Sequence, residues 1–303
     1  MKNFIYDRYG YYLNEEENFT YQGFDFVLEI NNKTDLETEE MNNFIINLSS
    51  SLYDKKAYIV PSKENKLITL SEYGNVSLVG VEHFDVNLDD IIKLHSFSLK
   101  NDAKYKLTYV KELWIKKLNL IEQIIIPSVK IEEYYYQLLI ICVTHGIGLA
   151  TNAISYLEDL IVDYKESITI TSLTHKRLKL NSYDLLNPFN LVIDSPLRDY
   201  AELYKNDIVT FEELISLFSL HPFTSKDYSY FLARLLFPST LFDMLEKHYQ
   251  KRDDLIEDLN DYYLNINMLL EKIKKIHSYL VSNYGIRKIN WLFWFFLWFI
   301  IDW

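Results

Sequence analysis

The chain has 303 residues, 49% hydrophobic and 24% charged, which gives it the length and apolar content for a large buried core and excludes an intrinsically disordered chain. With 43 acidic against 31 basic residues its formal charge is -12, and with no segregated basic run it would meet a phosphate backbone with repulsion, which argues against a nucleic-acid partner. Cys142 is the sole cysteine, so no intrachain disulfide can form; its place in the apolar run Leu138-Leu139-Ile140-Ile141-Cys142-Val143 is that of a buried small side chain, not of a nucleophile.

In chain order, residues 1–10 carry charges and tyrosines where a signal peptide needs an apolar stretch, so secretion by that route is not expected. Residues 5–13 and 24–30 are rich in Tyr, Phe, Val and Ile and predict strands, with a polar turn at 14–18 between them. Over 35–52, Leu36, Met41, Phe44, Ile45 and Leu48 recur at helical spacing, and Asp35, Glu37, Glu39 and Glu40 occupy the first turns, where the helix dipole favours anions. Further strands are predicted at 57–61, 67–70 and 76–81. Residues 1–85 therefore describe a small antiparallel sheet carrying one helix.

Beyond residue 86 the pattern is helical. Trp114, Leu118, Ile121 and Ile125 make one apolar face over 112–126. Asn152 is placed to cap the next helix, in which Ile154, Leu157, Ile161 and Tyr164 line a face. Helices follow over 199–204, 211–218, 226–237, 239–249 and 254–284, and Pro238 divides two of them. His145, His221 and His248 are scattered without metal-ligand spacing. The end, Trp291 through Ile301 and on to Trp303, is an apolar run far short of the about twenty residues a spanning helix needs. It is expected to pack on the core or on a partner; membrane contact through Trp291–Trp303 is the alternative, which its Trp and Phe favour and its lack of a polar face opposes.

Several segments share an order that belongs together: Trp114 with Glu122-Gln123; Gly148-Leu149-Ala150-Thr151-Asn152; Ser172-Leu173-Thr174-His175-Lys176-Arg177-Leu178; Asp194-Ser195-Pro196-Leu197-Arg198-Asp199-Tyr200-Ala201-Glu202; Ala233-Arg234-Leu235-Leu236-Phe237-Pro238; and His248-Tyr249. In this order they resemble the spore-coat-associated kinase-like proteins of low-GC Gram-positive bacteria, the CotS/YutH group, related to the aminoglycoside and choline-type small-molecule phosphotransferases. The resemblance spans most of the helical part. It implies an α+β, protein-kinase-like two-lobe fold, with a small antiparallel-sheet N-lobe over 1–85 and a larger helical C-lobe over 86–303 that contains a catalytic-loop region at 170–200.

What the resemblance implies for chemistry meets a different set of residues. Phosphoryl transfer needs a glycine-rich phosphate cradle, a strand lysine paired with a glutamate, carboxylate and amide ligands for magnesium, and an aspartate that positions the acceptor hydroxyl. The chain has 7 glycines, with Gly10 alone between Tyr9 and Tyr11, and the strand at 24–30 has no lysine, Lys33 lying beyond it. The family pattern runs His, any residue, Asp, then Asn five positions on, then a strand ending in Asp. Counted from His175, Arg177 stands in place of the catalytic Asp and Ser182 in place of the Asn, while Asp194 ends the strand as a candidate magnesium ligand. Asp199 matches the structural aspartate that accepts backbone N–H bonds from the loop, and His175 matches a loop histidine that is mainly architectural. These positions imply a catalytically degenerate, pseudokinase-type protein that acts by binding, in spore coat assembly. It would require no cofactor, would bind ATP and magnesium weakly at most, would have coat or assembly proteins as partners, and would be cytoplasmic before incorporation into the coat. The alternatives are an active small-molecule kinase with a rearranged site, using Asp194 with Asp199 or Glu202, and a module that binds a nucleotide or metabolite without turning it over.

Overall fold

A computed structural model describes residues 2–11, 18–72, 74–100, 107–130, 132–164, 170–251 and 255–293. The chain begins with a helix, α1 (Lys2–Tyr9), which corrects the strand expected over 5–13. Aromatic and branched residues there suggest a strand, yet Ile5 and Tyr9 stand about one helical turn apart and both are buried in a cluster with Phe26, Val60 and Leu78. Burial of that one face overrides local preference. The turn expected at 14–18 lies outside the described residues except for Asn18.

The next two strands, β1 (Asn18–Tyr21) and β2 (Phe24–Ile30), form a hairpin whose first strand the sequence did not reveal. Gln22 and Gly23 turn it at φ 49 and 80, the left-handed pair whose twist matches the strands on either side. Past β2, the buried Asn31 donates to Thr38 Oγ1 at 3.0 Å and to Ser77 Oγ at 2.8 Å, which ties the strand to α2 (Asp35–Tyr53) and to β5 (Gly74–Glu82). At the start of α2 the Thr34 hydroxyl accepts the Glu37 N–H while the Glu37 carboxylate accepts the Thr34 N–H. With β3 (Ala57–Val60) and β4 (Thr69–Ser71) the sheet runs β1-β2-β5-β3, all antiparallel, and β4 also pairs with β5.

The central strand β5 is buried on both faces. Leu78 joins the α1 cluster, and Gly80, of the same parity, lies beneath the Phe26 ring. Val79 and Val81, paired with Ile59 and Ala57, turn to the other face, and α2 packs against β3. A Cβ at Gly80 would lie 2.7 Å from Phe26 Cε1. Gly80→Ala is therefore expected to cost about 1–3 kcal/mol by overpacking, read as a lower midpoint in chemical denaturation; an unmoved midpoint would show that the ring can step aside.

Two compact units divide the chain, Met1–Leu99 with Ser172–Asp199, and Lys100–Thr171 with Tyr200–Trp303. The expected division near residue 85 separates strand-rich from helix-rich sequence, whereas these units are each discontinuous. To the first unit belong α3 (Leu88–Ser98), β6 (Ser172–His175), α7 (Ser182–Leu186) and β7 (Leu191–Asp194), while α8 (Leu197–Lys205) follows directly on β7.

In the second unit, α4 (Leu107–Leu120) runs on through a wide turn at Ile121–Ile125 into α5 (Ile126–Ser128), with Trp114, Ile121 and Ile125 buried on the face their spacing predicts. After it come α6 (Tyr136–Tyr164), α9 (Phe211–Phe218), α10 (Ser225–Leu236), α11 (Ser239–Lys251), α12 (Ile256–Tyr284) and a short 3₁₀ turn at Asn290–Phe293. The helix start expected at Asn152 is corrected: Asn152 lies inside α6, and its amide donates to Gly148 O at 2.7 Å. Leu139, Val143, Leu149, Ala153 and Leu157 bury one face on both sides of it, so packing carries the helix through. By length and composition Tyr136–Val162 could cross a membrane; here α6 packs against α4, α10 and α12. Trp114 stacks on Phe237 with ring centroids 4.4 Å apart, and the Arg234 guanidinium lies 5.6 Å from the Trp114 ring. Cys142 is buried beside Leu259 O at 3.6 Å, and burial pushes its thiol up to about 11. Of the apolar end, residues 294–303 lie outside the described residues.

Candidate functional site

The strand pair β6–β7 brings the residues singled out in the sequence together, with Ser172 opposite Asp194 and His175 opposite Leu191. At its centre is Asp199, fully buried in the first turn of α8. Its Oδ1 accepts the His175 backbone N–H at 2.9 Å, and its Oδ2 accepts from His175 Nδ1 at 2.7 Å and from His95 Nε2, on α3, at 2.9 Å. The other ring nitrogen of His175 faces Leu185 O at 3.2 Å. A carboxylate and a carbonyl can only accept here, so both nitrogens of His175 carry protons and the ring is an imidazolium. Burial opposes that charge, but the Asp199 carboxylate overcomes it and holds His175 above its ordinary pKa. Burial would likewise raise Asp199, and His175 with His95 more than reverses this, holding the carboxyl well below the usual range.

Asp194 at the end of β7 is also fully buried. Its Oδ1 accepts the Ser195 N–H at 2.7 Å and its Oδ2 accepts Arg198 Nη1 at 3.0 Å. The same guanidinium donates through Nε to His175 O at 2.7 Å and through Nη2 to Lys176 O at 3.4 Å. Arg198 therefore neutralises Asp194 and fixes the point where the chain leaves β6.

The loop 176–190 closes on Asn190. Asn190 Oδ1 accepts the Arg177 N–H at 3.0 Å, and its Nδ2 donates to Arg177 O at 2.7 Å and Asp184 O at 2.8 Å. The Arg177 side chain, half-buried, folds back to donate to Lys176 O at 2.7 Å. Ser182 is buried in the first turn of α7, its hydroxyl without a hydrogen-bond partner among the described residues, and Asn181 caps that helix by accepting the Asp184 N–H. Asn190 directly precedes β7 and was not singled out in the sequence; counting back from the strand rather than forward from His175 would have found it. Asn190→Ala removes three hydrogen bonds to the loop backbone and is expected to cost about 1–3 kcal/mol, measured as a lower unfolding midpoint.

A second contact reaches the loop from the sheet. Glu29 Oε1, on β2, accepts from Tyr183 OH and from Asn187 Nδ2, each at 2.6 Å. Burial and the adjacent Glu29 carboxylate push the Tyr183 phenol above its ordinary pKa. From β2 it is a carboxylate, not a lysine, that meets the loop. Among the described residues no group of three or more His, Cys, Asp or Glu is placed to hold a metal ion.

Comparison with known proteins follows the same lines. The model of the family described as "Spore coat putative kinase YutH" matches residues 2–282. The chain belongs to this family. Among solved structures, the family member is similar to an aminoglycoside phosphotransferase from Alicyclobacillus acidocaldarius, at 11% identity and TM-score 0.49 over 89% of this chain and 92% of that one. It is similar to a spectinomycin phosphotransferase solved with ADP and spectinomycin, at 10% identity and TM-score 0.54 over 90% and 96%. It is also similar to the choline kinase LicA from Streptococcus pneumoniae, at 11% identity and TM-score 0.47 over 90% and 97%. Among curated proteins no sequence matches. At these identities the likeness is one of fold, and the spectinomycin enzyme carries it: an α+β, kinase-like phosphotransferase fold with a small antiparallel sheet near the N-terminus and a mostly helical remainder.

Proposed function

We propose that this member of the YutH spore coat family has given up phosphoryl transfer and acts by binding protein partners in the coat. The observation that carries this reading is the state of Asp194: it is buried, one carboxylate oxygen holds a backbone N–H, and the other holds the Arg198 guanidinium. Magnesium is usually held by one or two carboxylates together with substrate phosphates, and a carboxylate already neutralised by an arginine does not fit that task. Asn190, the amide that precedes β7, has its oxygen and nitrogen bonded to the loop backbone. Arg177 puts a cation where the family pattern has the aspartate that positions the acceptor, and loss of a general base costs typically about 100- to 10,000-fold. On this reading the protein requires no cofactor, Asp199 and His175 are scaffold groups, and the chain is made in the cytoplasm and joins the coat through coat or assembly proteins.

The test combines a turnover assay with thermal denaturation in ATP, ADP and magnesium. No magnesium-dependent turnover and an unmoved midpoint are expected. A nucleotide at 100 times its dissociation constant would add about 2.7 kcal/mol of stability, so a shifted midpoint without turnover would redirect the reading to a nucleotide-binding module. Turnover abolished by Asp194→Ala would overturn it in favour of an enzyme.

A further inference from the structure

We propose that Lys33, Lys176 and Lys179, all in the first compact unit, form a docking surface for an acidic segment of a protein partner; this rests on the reading of the chain as one that acts by binding. The sequence has no segregated basic run, and the fold assembles one from separate stretches. Lys176, Arg177 and Lys179 fall within four residues. The Asn181 N–H donates to Lys179 O at 2.9 Å, so the backbone turns sharply there and leaves Lys179 exposed beside Leu180. Lys33, exposed on the link from β2 to α2, is near enough for its charge to act on Lys176.

The neighbouring carboxylates are already engaged. Glu29 accepts from Tyr183 and Asn187, Asp194 from the Ser195 N–H and Arg198, Asp184 from Asn181 Nδ2 at 2.9 Å, and Glu37 from Thr34. Among the described residues the ammonium groups of Lys33, Lys176 and Lys179 make no ion pair or hydrogen bond. Desolvation of the Lys176 ammonium holds its pKa below the ordinary lysine value; Glu29 pulls the other way, and Arg198 and Lys33 push it lower still. A carboxylate brought to this point would relieve that repulsion. The occupant is a short acidic stretch because of range: at physiological salt, charges beyond about 8 Å are largely screened, so a short segment meets the lysines alone. A long polyanion would also lie against a chain of net charge -12. Lysines offer mobile point charges that suit separate carboxylates, and Leu180, 36% exposed, adds an apolar contact beside them.

Fluorescence anisotropy of a labelled oligo-glutamate peptide containing leucine, titrated with the full chain at low and at physiological salt, tests this. Binding that weakens as salt rises is expected. Lys176→Glu with Lys179→Glu should weaken it about tenfold, since each reversal turns an attraction into a repulsion. Lys274→Glu with Lys275→Glu, the same change of net charge placed on α12, should leave it unchanged. Lys33→Gln with Lys176→Gln, which removes charge without adding any, should also weaken binding while the unfolding midpoint is retained. No binding at low salt, or equal losses from the two reversed pairs, would overturn the proposal. A single-stranded oligonucleotide of equal charge that binds as tightly would overturn it in favour of a nucleic acid, and displacement of the peptide by inorganic phosphate at matched ionic strength would overturn it in favour of a phosphate site. Because the assay contains no nucleotide, its failure removes this surface and leaves the reading of a chain without phosphoryl transfer standing, whereas magnesium-dependent turnover removes that reading whatever the peptide does.

Discussion

Asp199→Ala is expected to destabilise the first compact unit by about 3–5 kcal/mol, the cost of leaving a buried charge without its partner. The alanine would strand the imidazolium of His175, its backbone N–H and the His95 Nε2–H, all now directed at one carboxylate with no exposure to water. Asp199→Asn keeps the shape and one acceptor but loses the charge, and should fall between wild type and alanine. Urea titration followed by circular dichroism gives the comparison. A loss under about 1 kcal/mol for the alanine variant would mean that His175 is neutral, against the assignment made from its two acceptors.

The same pair has a pH signature. His175 has its folded pKa raised, so its contribution is complete below the ordinary imidazole value of about 6.5 and is lost as pH rises through the folded value. Asp199 has its folded pKa lowered, so its contribution is complete above the ordinary carboxyl value of about 3.9 and is lost as pH falls towards the folded value. Between about pH 4 and 6.5 both are at full strength. His145 and His277, whose pKa values burial lowers, work the other way in acid, because they take up protons in the unfolded chain first. The total curve mixes these effects, and the difference between wild type and Asp199→Asn separates them. That difference should be greatest near pH 5 to 6 and shrink towards pH 9; a flat difference would count against a charged His175.

Part of the helical unit can be read from the chain because α9, α10 and α11 carry boundary signals of their own. Thr210 with Glu213 opens α9, Asp227 accepts the Thr224 N–H at the start of α10, and Pro238 separates α10 from α11. The failures come where a distant surface decides. Ile5 and Tyr9 form a helix because β2, β3 and β5 supply the cluster that buries them, and nothing in residues 2–9 announces it. Asn152 has the chemistry of a cap until its amide is found bonded to Gly148 O inside a longer helix. In the site, the order of His175, Asp194 and Asp199 could be read because a strand pair and a helix start follow each other closely. The loop between them could not, since α7 lies within it and counting residues from His175 leads to the buried Ser182. The contact from Glu29 to Tyr183 joins residues 154 apart, and no local pattern encodes it.

Arg198 is the other position where a large effect is expected. Arg198→Met removes the guanidinium from Asp194, which is buried and keeps the Ser195 N–H, and also frees His175 O and Lys176 O. Breaking a buried ion pair by removing one member costs about 3–5 kcal/mol. Arg198→Lys retains a charge but offers a compact ammonium in place of a planar fork, and it cannot meet acceptors on three residues at once; a loss of about 1–3 kcal/mol is expected. Combining Arg198→Met with Asp194→Asn removes both charges, so the double variant should be less destabilised than the two single losses added together, with a coupling of about 0.5–3 kcal/mol. Denaturant midpoints of the four proteins in that cycle supply the number. A coupling near zero would mean that Asp194 does not depend on Arg198 and is available to another cation, and the case for a chain that binds without transferring phosphate would lose its main support.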